Sequence, residues 1–257
     1  MRYLVIVAAL LASSSPALAQ DDGTTRVRVG LGGQNRPAAL GADRREWAPL
    51  FDFALDRAGG QFDFEAPDDN FDIRLYENEG LSLGPVAAFQ PGRKNRDFGD
   101  RVGKMPSTIE VGGFVQYQMS EFLRLRGEVR KGVGGHNGLI ASIGADGVWR
   151  DGDRYVISAG PRLNFANGRY QREFFGVSDE RSLITGLDEF DPDGGLQSIG
   201  ATTGINVQVA GPIGVFGYAR YDRLVGDAAD SPIVRELGSR SQVAAGLGLT
   251  YTFNLSK

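Results

Sequence analysis

Few side chains in this sequence are of the types that do chemistry, and those few are widely spread. His136 is the single histidine among 257 residues, and there is no cysteine. It sits between Gly134-Gly135 and Gly138, in what reads as a loop. A catalytic histidine needs an orienting carboxylate and a nucleophile held on rigid elements, and no Gly-x-Ser-x-Gly turn occurs to supply one. No enzyme is expected, and no cofactor. With one His and no Cys, a zinc or iron–sulfur centre is not expected either.

The remaining candidates are charged. Asp188, Glu189, Asp191 and Asp193 precede Gly194-Gly195 and resemble a calcium loop, but Ile199 stands where an EF-hand carries its closing Glu. They read as an acidic solvated loop, with weak divalent binding as the other reading. The run Gly226-Asp227-Ala228-Ala229-Asp230-Ser231-Pro232 sets two carboxylates three apart beside a hydroxyl. It is either a cation or partner site, or a turn whose Asp and Ser side chains cap local backbone. The third group is Arg124, Arg126, Glu128, Arg130, Asp146, Arg162, Arg220 and Asp222, which fall on the polar side of alternating segments. Inside a barrel they would form either a selectivity ring for anionic solutes or an ion network that fills the lumen.

The segments that must position these groups alternate with a period of two. Val243, Ala245, Leu247, Leu249, Tyr251 and Phe253 share one face, against Gln242, Ala244, Gly246, Gly248, Thr250 and Thr252. The pattern recurs over residues 154–165, 109–118, 123–130, 139–150 and 198–209. It is weaker over 27–31, 51–55, 61–65, 71–76 and 81–89, and ambiguous over 213–224, where Phe216 and Tyr218 share a face with Arg220 and Asp222. Counted this way the chain has about twelve strands, many of the ten or so residues that cross a bilayer. Short links (57–60, 77–80, 119–120, 150–153, 210–212) alternate with long ones (34–44, 91–106, 131–137, 167–196, 225–238). Only 67–70 is short where a long link is due.

The expectation is an all-β protein: a closed antiparallel transmembrane β-barrel of about twelve strands over residues 20–257, with both termini in the periplasm. Residues 1–19 read as a signal peptide. Arg2 supplies positive charge, residues 4–11 an apolar core, and Ala17-Leu18-Ala19 a cleavage site before Gln20. The apolar stretch is too short for a membrane helix, and no Cys follows for a lipid anchor. A net charge of -4 gives no bulk attraction to nucleic acid, and 41% hydrophobic residues are too few for a helical membrane bundle. A soluble β-sandwich or lipocalin-like barrel would alternate too, with the faces reversed.

Longer stretches are Arg169-Tyr170 through Phe174-Phe175-Gly176-Val177-Ser178, Tyr221-Asp222-Arg223-Leu224-Val225 continuing through Gly226-Asp227-Ala228-Ala229-Asp230-Ser231-Pro232-Ile233-Val234, Gly238-Ser239-Arg240, and Gly246-Leu247-Gly248-Leu249-Thr250-Tyr251-Thr252-Phe253. In these the chain resembles the MipA/OmpV family of outer-membrane proteins. Glu77-Asn78-Glu79-Gly80, Leu83-Gly84-Pro85 and Gly160-Pro161-Arg162 add to it. The resemblance implies a non-enzymatic barrel, monomeric in the outer membrane of a Gram-negative cell, in contact with outer-membrane lipid and lipopolysaccharide. It implies a role as a scaffold for a murein transglycosylase and a murein synthase, or as a surface-binding protein; a channel for small solutes is the alternative. The chain departs from the family's aromatic terminus, because Asn254-Leu255-Ser256-Lys257 follow Phe253. The long loop 167–196, with Tyr170, Phe174, Phe175 and Phe190, is expected to be the main recognition surface, unless those rings pack into the barrel mouth.

Overall fold

The computed structural model describes residues 24–57 and 60–256, so the signal-peptide reading of residues 1–19 and its cleavage site lie outside the described residues. Twelve strands make one antiparallel sheet. They are β1 (Thr24–Pro37), β2 (Arg45–Asp56), β3 (Phe71–Asp72), β4 (Tyr76–Asn78), β5 (Leu81–Gln90), β6 (Thr108–Ser120), β7 (Leu123–Gly134), β8 (Leu139–Asp151), β9 (Tyr155–Ala166), β10 (Gly195–Ala210), β11 (Ile213–Leu224) and β12 (Ser241–Ser256). Ladders run in the order β2-β1-β12-β11-β10-β9-β8-β7-β6-β5-β3, with β4 also on β5. Pairing of the first long strand with the last curls the sheet around a lumen. The tail after Phe253 joins this seam: Asn254 pairs with Arg26, Leu255 with Thr25 and Ser256 with Thr24.

The faces are those of a membrane barrel. Leu247, Leu249, Ile143, Val129, Val111 and Phe51 point outward, while Arg124, Glu128, Asp146, Arg162 and Gln242 are buried inside. An apolar exterior around a charged interior inverts the soluble β-sandwich. The ambiguous β11 resolves the same way: Phe216 is buried inward, and the Tyr218 hydroxyl bonds Gln34 of β1 over Gly246 of the intervening β12. No helix of the described residues is long and apolar enough to cross a membrane, which says nothing of strands.

Two readings need correction. The strand expected over residues 61–65 does not form, and residues 67–70 are not a connection at the loop end. Residues 61–70 enter the lumen as an extended strap. The Phe62 amide donates to Asp153 (3.0 Å) and its carbonyl accepts from Arg150 (3.0 Å), at the β8–β9 turn, while its ring stacks under Arg26 and Arg28 of β1. The sheet path separates β1 from β8 and β9 by several strands, so Phe62 reaches across the lumen. Charge pairing holds it there: the strap's Asp68 and Asp69 meet Arg162 and Arg124 of the wall. The strap turns at Ala66-Pro67-Asp68-Asp69, where the Asp69 amide donates to the Ala66 carbonyl (3.0 Å), a tight turn with Pro in its favoured place. It then descends as one course, β3 and β4, along β5. Ile73 and Leu75 bridge the two pieces through amide bonds to Pro85 and Leu83 (3.1 and 3.0 Å).

The links after β9 and after β11 are helical. α1 (Gly168–Phe175) is capped by Asn167, whose side chain accepts from the Tyr170 amide. α2 (Asp179–Thr185) is capped by Ser178 and ends at Gly186, whose φ of 71 suits glycine. α3 (Gly226–Asp230) and α4 (Pro232–Leu237) follow β11, with Ser231 capping α4 and Pro232 in its first turn.

Candidate functional site: a strapped and capped lumen

The lumen is held by one connected ion network. Arg124, on β7, donates to Asp146 of β8 (2.6 Å) and to Asp69 of the strap (3.1 Å), with the Phe64 ring 4.7 Å beneath its guanidinium. Arg162, on β9, forks onto both oxygens of Asp68 (2.9 Å each) and also reaches Asp146 (2.7 Å). Arg126 binds Asp72 (2.7 Å) and Glu128 (2.8 Å), Arg130 binds Glu110 (3.0 Å) and Glu128, and Asn70 of the strap donates to Glu128 (2.8 Å). Arg220 pairs with Asp222 (2.5 Å) and lies 3.5 Å from Asp68. Alternation places every one of these wall residues inward, and strand pairing brings them level.

Asp68, Asp69 and Asn70 of the strap, with Glu110 and Asp72 of the wall, are the network members that sequence reasoning left out. One signal pointed to the strap: the 67–70 link was short where a long one was due.

Above the strap lies a polar cavity of about 230 Å³, lined by network residues and roofed by Leu40, Tyr170 and Leu224. The roof is a hydrophobic cap built by the loops. Tyr170, Phe174, Phe175, Leu224, Ala228, Ala229 and Val234 form one cluster, and Ala42, Phe98, Val177, Leu187 and Ile233 another. The aromatics expected to serve as interface anchors therefore point down: Phe175 is 0% exposed and Tyr170 3%. Burial pushes the Tyr170 phenol well above its usual range. Phe190 is only partly buried, against the second cluster.

The Gly226–Pro232 run closes this cap. The Ser231 hydroxyl donates to the Phe175 carbonyl (2.7 Å) and accepts from the Ile233 amide (3.2 Å). Asp227 accepts from the Asp193 amide (2.6 Å), and Asp230 pairs with Arg240 (3.1 Å). The two carboxylates thus serve different partners. Of the acidic loop, Asp191 lies 3.7 Å from Arg172. Among the described residues no three His, Asp or Glu side chains gather to hold a metal ion.

His136 is part of the same packing. Its Nδ1 accepts from the Gly138 amide (3.3 Å), its Nε2 faces Glu110 (3.2 Å), and Tyr170 and Phe174 close on the ring edge-on at 4.9 and 5.6 Å. Both nitrogens are thus engaged by protein groups and the ring is enclosed.

Comparisons with known proteins give a family and a set of likenesses. The chain is 8% identical to the NanC porin structure, which covers 87% of this chain and 98% of its own at a TM-score of 0.42. It is 8% identical to the outer membrane channel DcaP of Acinetobacter baumannii, with coverage of 90% and 98% and a TM-score of 0.38. No curated protein matches the chain. The family model for MltA-interacting protein MipA matches residues 29–253, from the first long strand to the last. An apolar belt on a curled antiparallel sheet puts the chain in the outer membrane, and a match of that extent makes it a member of the MltA-interacting protein MipA family.

Proposed function

We propose that this barrel acts by binding and holding partners, and that it is not an open pore. The observation that carries the reading is the strap: residues 61–70 cross the lumen and are pinned by Asp68 to Arg162 and by Asp69 to Arg124. A second closure, the cap, lies above it. One barrier pinned by ion pairs and a second packed with apolar side chains support a closed lumen. Both nitrogens of His136 are engaged, which supports a non-enzymatic role.

The family's description as an MltA-interacting protein supports a murein transglycosylase as partner; in a scaffold a murein synthase would be the second enzyme. In outer-membrane barrels the tight turns face the periplasm. Here they are small, so a periplasmic partner would meet a ring of turns. The loop end is larger, and its exposed apolar side chains are Leu183 (89%) and Ile184 (75%) of α2. These replace the buried aromatics as anchors for an outward-facing surface.

Planar-bilayer recording on the folded chain tests the closed lumen. No stable openings are expected; large, lasting openings would establish the channel reading instead. Capture of a murein transglycosylase by the detergent-solubilised chain, compared between the parent and L183S/I184S, tests the partner. Capture unaffected by that pair supports the periplasmic scaffold, and absence of capture by the parent would remove the scaffold role.

A further inference from the structure

The wall has a fissure, and a basic pocket closes its outer end. β2 and the β3–β4 course both run from the loop end toward the turn end, so they cannot pair as antiparallel neighbours, and no ladder joins them among the described residues. β3 begins opposite Ala87, so on that side Ala88, Phe89 and Gln90 of β5 continue toward the loop end without a ladder partner. The fissure is flanked outside by Trp47 (78% exposed) and Phe51 (71%) of β2 and by Phe89 (64%) of β5.

At its loop end the two sides meet around an open pocket of about 750 Å³, lined by Arg36 and Glu46 from the β1–β2 hairpin and by Arg93, Lys94, Lys104 and Met105 from the loop after β5. Four cations face one carboxylate, and Glu46 is already shared between Arg36 (3.2 Å) and Lys94 (3.8 Å). Arg93 is 3% exposed, donates to the Phe174 and Gly103 carbonyls, and has no carboxylate partner. Its Nη2 and the Arg36 Nε are buried without a hydrogen-bond partner. Burial, and then the nearby Arg181 guanidinium, lowers Arg93 to about 10. Uncompensated cations of this kind call for an anion.

We propose that this pocket seats the phosphate groups of a phosphorylated lipid of the outer leaflet, whose acyl chains lie along the fissure between β2 and β5. The chemistry matches at both levels. The loop end of an outer-membrane barrel faces outward, so the pocket stands at headgroup height, directly above Trp47 at the rim of the apolar belt. Below it, the exposed side chains of Trp47, Phe51 and Phe89 flank the fissure and offer an apolar surface against which acyl chains pack. This inference stands apart from the scaffold reading, since it concerns the lipid-facing side.

The test uses Trp47 as the reporter. In the full chain carrying Trp149→Phe and folded in detergent micelles, Trp47 is the only tryptophan left. Its fluorescence is followed while lipid A, dephosphorylated lipid A or inorganic phosphate is added. Phosphorylated lipid A is expected to bind at least about tenfold more tightly than its dephosphorylated form. K94Q/K104Q, two exposed positions, should remove that preference, while R154Q at the turn end should leave it unchanged. Heat-modifiable migration confirms that each variant is folded. Equal binding of both lipids, or parental binding by K94Q/K104Q, would overturn the proposal. Inorganic phosphate binding as tightly as lipid A would also overturn it, in favour of a site for free phosphate.

Discussion

Asp68 accepts two hydrogen bonds from Arg162, each 2.9 Å long, and this fork ties a segment inside the lumen to the wall strand β9. The same arginine holds Asp146 at 2.7 Å, so strap and wall share one guanidinium. Removing one partner of a buried pair leaves the other uncompensated, at a cost of about 3–5 kcal/mol. In D68A/D69A the strap should leave its seat while the ladders of the wall remain. The expected result is a new protease cut within residues 61–70 and the onset of steady current in planar bilayers. A variant that stays silent and uncut would show that the strap is held by something other than these pairs.

Pro67 packs over Gly204 of β10: a Cβ built on Gly204 would lie 2.4 Å from the Pro67 Cγ. Gly204→Ala should therefore push the strap away from β10 and lower stability by roughly 1–3 kcal/mol, as overpacking does. Gly113 meets only the Gly84 carbonyl oxygen at 3.6 Å, so Gly113→Ala should be tolerated. Refolding titrations into vesicles compare the two, and equal costs would remove the close approach as the cause.

The outward face gives a third expectation. Leu247 is 64% exposed in the apolar belt, and Leu247→Arg should cost about 2–4 kcal/mol near mid-bilayer. Asn206, which lines the space between strap and wall, faces polar surroundings, so Asn206→Arg should cost less. The same refolding titration decides, and the reverse order would invert the assignment of faces.

The cap is expected to come apart without the barrel. Ser231→Ala removes the bond to the Phe175 carbonyl and the cap on Ile233, for about 1–2 kcal/mol. Phe175→Ala empties a fully buried site, for about 3–5 kcal/mol. Both should make residues 176–196 sensitive to protease while heat-modifiable migration persists. Loss of that migration would mean that cap and wall fold as one unit.

The wall was legible in the residues alone, because a strand buried on one side and bathed in lipid on the other must repeat with period two, and that repeat is local. Leu247 with Leu249, and Arg124 with Arg126, announce their faces by spacing. The caps of the loop helices were also written locally, in Asn167 and Ser178, although the long links that hold them read as open loops. Tertiary structure decided the sites. Residues 61–65 alternate as a wall strand does, and nothing within that stretch separates a place in the wall from a place in the lumen. Arg162 decides it, ninety-four positions after the Asp68 it binds. Likewise Phe175 reads as a surface anchor until Ser231 and Val234 arrive to cover it. Charge pairing and apolar burial depend on distance in space, and that distance is set only when the first long strand meets the last.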